Sequence, residues 1–179
     1  MDATLKKLIN DCLRGDAGAQ RRIFEQFKTS LFSVCLRFAR DRPEAQDMLQ
    51  EAFLVIFRDL GQYKGEGAIG AWLQRVTVRV ALQHLRRKNP LRHAEDYDDL
   101  PPDTYDFNPN TTLDSEAILH MVQQLPPGYR AVFNLRCMEG FEYPEIATEL
   151  GIAESSVRSQ YARACKQLRG MVERMLVMV

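Results

Sequence analysis

Residues 89–110, NPLRHAEDYDDLPPDTYDFNPN, constrain the architecture more than any other stretch. Four prolines, a dense set of acids and few aliphatic side chains leave too little apolar surface to offset the entropy of ordering a backbone. A single core serving all 179 residues would have to cross this stretch. The chain is therefore expected to form two small domains, 1–88 and 111–179, joined by a flexible acidic linker over 89–110.

On both sides of the linker, apolar residues recur at intervals of three and four, the period of a helix with one buried stripe. Leu5, Leu8, Ile9, Cys12 and Leu13 mark a first short helix, which Gly15-Asp16 ends while starting the next. Ile23, Phe24, Phe27, Leu31, Val34, Cys35 and Phe38 carry the second to about Arg40, and Pro43 opens a third that runs to Leu60. A glycine-rich loop, GQYKGEG at 61–67, precedes a fourth helix over 69–88. Beyond the linker the pattern predicts helices over 113–125, from Pro126-Pro127 through Cys137, over 143–150, and from Glu154 to about Met175. No strand-like alternation bounded by turn residues interrupts this, so the fold class is all-α, the second domain being a four-helix unit with a helix-turn-helix.

The net charge of zero is assembled from unequal parts. Residues 1–88 hold 16 Lys and Arg against 10 Asp and Glu; residues 89–116 hold 1 against 8; residues 117–179 hold 7 against 6. A basic front half faces an acidic bridge. No apolar run of about 18 residues is present, and Met1 is followed by an acid and then lysines, so neither membrane insertion nor a signal peptide is expected and the protein reads as cytoplasmic. Cys12, Cys35, Cys137 and Cys165 lie too far apart for a zinc motif or a disulfide framework, and reduced, mostly buried thiols are expected. His84, His93 and His120 are scattered without an acid at ligand or relay spacing and read as surface residues. Ser30 and Ser33 fall inside a helical pattern with no base nearby. There is no phosphate-cradling glycine loop after a strand. No catalysis, metal or cofactor is expected.

Three helix faces carry chemistry instead. With Val157 at zero on a helical wheel, Tyr161, Ala164 and Leu168 fall within about 40° and form the buried stripe of the last helix. Opposite them lie Ser155, Ser159, Ala162, Arg163 and Lys166, flanked by Ser156 and Arg158. Small residues permit close approach, and serine and arginine donate to phosphates and base edges. Together with YPEIATEL, in which Ile146, Ala147 and Leu150 point inward, and the Gly151 turn, this is a helix-turn-helix whose second helix faces DNA. In the fourth helix, Trp72, Arg75, Arg79, Gln83 and Arg86 stack at helical spacing with Arg87 beside them, while Val76, Val78, Val80 and Leu85 turn away. Guanidiniums suit the phosphate backbone and rings suit unstacked bases, with Tyr63 and Lys64 of the preceding loop as further contacts. Trp72 also fits a core position, and both readings stand. In the third helix, Ala45, Leu49, Ala52 and Ile56 form the buried stripe, and Asp47, Gln50, Glu51, Leu54, Phe57 and Arg58 face outward. Leu54 and Phe57 among acids suggest a docking face for a partly basic partner, unless the first helix covers them.

In this order and spacing, GDAGAQRRIFEQF, QDMLQEAFLVIF, AWLQRVTVRVALQHLRR and the segment from LPPGYRAVFNLR to ESSVRSQYARACKQLR resemble the extracytoplasmic-function sigma factors of bacterial RNA polymerase. The resemblance covers nearly the whole chain. It implies that Asp47, Gln50, Glu51 and Leu54 grip the clamp coiled coil of core polymerase. It also implies that the fourth helix and its loop read and open the promoter minus-ten element. The last helix would then read the minus-thirty-five element while its domain rests on the polymerase flap, and an anti-sigma factor would act as inhibitor. Arg79 stands where the family commonly has Asn, and Ala162 where it often has His or Arg. Competing readings are a stand-alone helix-turn-helix regulator, a recombinase with such a tail, and a pure interaction protein.

Overall fold

The computed structural model describes residues 3–88 and 115–177; the linker expected over 89–110 and the start expected for its following helix at Leu113 lie outside them. All regular structure among the described residues is helical: α1 (Ala3–Leu13), α2 (Ala17–Phe38), α3 (Arg42–Asp59), α4 (Ile69–Lys88), α5 (Ser115–Gln124), α6 (Pro127–Cys137), α7 (Tyr143–Leu150) and α8 (Glu154–Val177), with a single 3-10 turn at Leu60–Gln62. The chain divides into two compact units, Met1–His84 and Leu85–Val179. No described helix is long and apolar enough to cross a membrane.

In the first unit the helix boundaries are written in side chains. Asp16 caps α2 by accepting the Ala19 N–H at 2.6 Å. Asp41 accepts the Glu44 N–H at 2.9 Å, and Glu44 answers by accepting the Arg40 N–H at 2.8 Å, so α3 begins with its exposed donors satisfied. A cap is worth about 1 kcal/mol, while each large side chain fully withdrawn from water contributes about 1.5 to 3. Burial of Ile23, Leu31, Ile56, Leu60 and Leu73 therefore outweighs the caps, which fix where helices start. Phe24 stacks obliquely on Phe53 at 4.7 Å, and Phe53 on Phe57 at 5.8 Å.

In the first unit, two apolar residues depart from the stripes read in the sequence. Leu13, expected in the buried stripe, is exposed, because it is the last residue of α1 and its side chain reaches only to the edge of Gly61. Phe57, expected on the outer face of α3, is half-buried against the core, because the Phe53 ring draws it inward.

In the second unit, Met121, Val122, Leu125, Phe133, Ala164, Cys165 and Leu168 form the core. Arg130, nearly buried, donates from Nη1 to the Gln123 carbonyl at 3.0 Å and fastens α6 to the end of α5. Gly128 sits in a tight spot: a Cβ there would lie 2.9 Å from Oε1, the end of the buried Gln160 side chain on α8. Gly151 is required by backbone: it closes α7 at φ 65°, in the left-handed region, and its N–H donates to the Ala147 carbonyl at 2.9 Å. That turn passes the chain from α7 into α8.

Candidate nucleic-acid interface

α8 is packed by α5, α6 and α7, so its buried arc is wider than the single stripe seen on the wheel. Val157, Ala164 and Leu168 are inside as expected, and Tyr161 is half-buried. Ala162, expected on the outer face, is buried as well, because three neighbouring helices cover more than one stripe. Ser155, Ser156 and Lys166 are exposed; Arg158, Ser159 and Arg163 are half-buried.

Two arginines of α8 are tethered within their own unit. Arg158 donates to Oε1 of Glu154 from Nη2 at 2.8 Å and from Nε at 3.1 Å, and its guanidinium lies 4.5 Å from the centre of the Tyr143 ring. Arg136 approaches the same ring at 5.0 Å and pairs with Glu142 at 2.9 Å. That pairing raises the Arg136 pKa further, chiefly through the Glu142 hydrogen bond. Arg163 donates from Nη1 to the Tyr129 hydroxyl at 3.3 Å. Arg158 and Arg163 are thus held in place before any ligand arrives. Sequence reading missed the Tyr143 and Arg136 supports, whose signal is an aromatic residue opening α7 beside a turn rich in Glu and Arg.

α4 is different. Leu73, Val76, Thr77, Val78, Val80 and Leu85 are buried, with the Thr77 hydroxyl satisfied by the Leu73 carbonyl at 2.9 Å. Arg75, Arg79, Gln83 and Arg86 all point to solvent, as does Arg87. Arg79 lies close enough to Asp59 to help lower its carboxyl pKa, behind the hydrogen bond from Arg58. Trp72 is half-buried and packs against the core while its ring stands 5.9 Å from Tyr63, so it is a core residue with one exposed side. The Tyr63 hydroxyl donates to the Gly67 carbonyl at 2.7 Å, which closes the loop on itself, and Lys64 is exposed at its tip.

On α3, Asp47 and Gln50 are exposed, Glu51 is half-buried and Leu54 is 73% exposed. Arg58 pairs with Asp59 at 2.7 Å at the end of the same helix. Beneath this face lies a residue that the sequence reading placed on the surface. His84 of α4 has a side chain only 12% exposed, with Nε2 3.5 Å from Glu44 Oε1 and Nδ1 3.6 Å from Glu51 Oε2. The acids come from another helix, so spacing along the chain does not reveal them.

Ser30 and Ser33 donate to the Phe27 and Thr29 carbonyls of their own helix, and no group of metal-ligating side chains is found among the described residues. Cys12, Cys35 and Cys165 are buried and Cys137 is exposed, all as free thiols. Burial pushes the Cys35 thiol up to about 12, so it stays protonated. Burial, then a contact with the Cys137 sulfur at 3.3 Å, raises the Tyr161 phenol above its ordinary value.

The family model described as Sigma-70 region 2 matches residues 23–90, and the one described as Sigma-70, region 4 matches residues 115–168. The RNA polymerase sigma-H factor of Pseudomonas aeruginosa is 31% identical over 173 residues, covering 89% of each chain. The ECF RNA polymerase sigma-E factor of Escherichia coli K12 is 25% identical over 178 residues, covering 93% of each. Among solved structures, the sigma factor RpoE of Bartonella quintana, captured with the anti-sigma factor NepR, shares the fold with a TM-score of 0.54. It is 17% identical over 86% of this chain and 96% of its own.

Proposed function

The chain belongs to the extracytoplasmic-function family of RNA polymerase sigma factors, and from that premise we propose how its two units divide the work of starting transcription. As a sigma factor it binds core polymerase and promoter DNA and performs no catalysis itself. Residues 1–88 dock on the polymerase clamp through Asp47, Gln50, Glu51 and Leu54 on α3. The same domain engages the minus-ten element through Tyr63, Lys64, Trp72, Arg75, Arg79, Gln83 and Arg86. Residues 111–179 present Ser155, Ser156, Arg158, Ser159, Arg163 and Lys166 of α8 to the minus-thirty-five duplex and rest on the flap, and the acidic stretch 89–110 joins the two domains. An anti-sigma factor is the inhibitor, and the protein works in the cytoplasm beside its polymerase.

The observation that supports this division is the pair of unlike cationic helices, one in each matched region: an open row on α4 and a braced row behind a helix-turn-helix on α8. Arginines free to move follow a strand being opened; braced ones suit the fixed edges of a duplex. Each unit makes few phosphate contacts and binds weakly alone, and polymerase, by holding both, converts two weak contacts into one strong one. Retardation of labelled promoter DNA with and without core polymerase tests the scheme. A shift that needs the core supports it, and a tight shift by the chain alone returns the protein to the stand-alone regulators. Glu51→Lys is expected to weaken competition for core at least about tenfold while the fold stays intact, since it reverses a charge on the docking face.

A further inference from the structure

His84 lies between the two proposed faces of the first unit and takes part in neither. We propose that His84 is a positioning residue for core docking: anchored to the buried Glu44 through Nε2, its ring holds the Glu51 carboxylate through Nδ1. The inference rests on the reading of α3 as the core-binding helix.

Glu44 is a fixed post. Its side chain is only 6% exposed, one oxygen accepts the Arg40 N–H at 2.8 Å, and its own N–H donates to Asp41. The other oxygen faces the His84 ring, whose Nε2 is shut off from solvent, makes no hydrogen bond among the described residues and has this carboxylate 3.5 Å away. The ring therefore lies against an immobile carboxylate at one end, two helical turns along α3 from the residue at its other end. Glu51, 33% exposed, sits half on the docking face and half against the imidazole, whereas its neighbours Asp47 and Gln50 project into solvent. A glutamate loose on a helix surface must be ordered when a partner binds, and one already held meets that entropy cost at folding. The separation of 3.6 Å is a loose polar contact rather than a tight hydrogen bond, so Glu51 is oriented and still able to turn toward a cation of the polymerase. His84 also shares α4 with Arg79 and Arg86, so the ring joins the helix assigned to DNA to the helix assigned to polymerase.

Two near-isosteric substitutions separate positioning from packing. The side-chain amide of His84→Asn falls near the place of Nδ1 and keeps the approach to Glu51. That of His84→Gln falls near Nε2 and keeps the approach to Glu44. Full-length variants would be measured by competition with labelled wild-type chain for core polymerase, and by thermal melting. His84→Gln is expected to weaken core binding about tenfold and His84→Asn about twofold, a difference within the range for members of one ion-pair network. Melting is expected to follow the opposite order, because Glu44 is the more deeply buried partner. Combined with Glu51→Gln, His84→Gln should cause no further loss. Losses that track melting, or that add to those of Glu51→Gln, would overturn the positioning role and leave His84 to stability alone. Should Glu51→Gln itself leave core binding untouched, the docking face on α3 fails first and takes the inference with it.

Discussion

α4 and α8 both carry arginines on a solvent-facing side, yet the two helices keep them in opposite states. Arg75 and Arg86 make no hydrogen bond or ion pair with the described residues and Arg79 feels only the nearby charge of Asp59, whereas Arg158 is pinned by Glu154 and Tyr143 and Arg163 by Tyr129. A free guanidinium keeps its full charge for a phosphate but pays in side-chain entropy on binding. A braced one gains a defined direction, and where the brace is a carboxylate its field is partly offset. The difference teaches that composition alone misleads: arginine rows that look alike along the sequence are built for different targets.

The largest effect should come from stripping the open row. Arg79→Ala with Arg86→Ala is expected to cost promoter opening by holoenzyme about 3 kcal/mol or more, at about 1.5 to 3 for each charge-assisted contact. The slope of log affinity against log salt should fall by about 0.7 for each arginine if the partner is a single strand. An unchanged salt slope would show that α4 makes no phosphate contact and would erase its contrast with α8. Next in size is the braced row. Arg163→Ala is expected to lose about 1 to 3 kcal/mol on the preferred upstream element and much less on a scrambled one. Equal losses on both sequences would mean that Arg163 touches phosphate, and the two helices would then work alike.

The helices themselves were legible because their signals are local. Pro43, Pro127 and Pro144 sit in first turns, Asp16 and Asp41 cap, and Gly151 takes a left-handed turn, so α2, α3, α6 and α7 fall where the chain writes them. The contacts between helices were not legible. A periodic pattern says which side of a helix is apolar, not how many neighbours will cover it. Ala162 therefore looked exposed until α5, α6 and α7 closed over α8, and His84 looked solitary until α3 brought Glu44 and Glu51 to it. The Glu154 brace on Arg158 is an i,i+4 pair that helical spacing encodes, but Tyr143 beside Arg158 and Tyr129 at Arg163 are 15 and 34 positions away, a distance that no helical spacing encodes.

A smaller and purely structural effect concerns the packing that sets α8 in place. Gly128→Ala puts a methyl group 2.9 Å from Gln160 Oε1, and either that buried amide or the first turn of α6 must shift. A loss of less than about 1 kcal/mol in unfolding is expected, because the overlap falls on the end of a side chain and the helix propensity of alanine offsets part of it, with the first unit unaffected. Discrimination between upstream elements should fall with it, since Tyr129, the brace for Arg163, is the next residue. Full discrimination in a destabilised variant would show that the brace does not depend on how α6 meets α8.

The smallest effect is the most direct test of what bracing does. Glu154 accepts two hydrogen bonds from Arg158, so it both orients the guanidinium and competes with any anion that approaches it. Both side chains are well exposed, so the pair contributes only about 0.3 to 0.5 kcal/mol to stability, and Glu154→Gln should leave melting almost unchanged. Binding should respond in two directions at once. Removing the competing charge strengthens attraction to any duplex, while releasing the guanidinium from its set direction weakens preference for one sequence. The expected result is slightly tighter binding to scrambled DNA, unchanged binding to the preferred upstream element, and a ratio between them reduced about twofold, the fold-change that 0.4 kcal/mol represents. Should Glu154→Gln tighten both sequences equally, Glu154 would be no more than a counter-charge, and the direction of Arg158 would have to come from the Tyr143 ring alone.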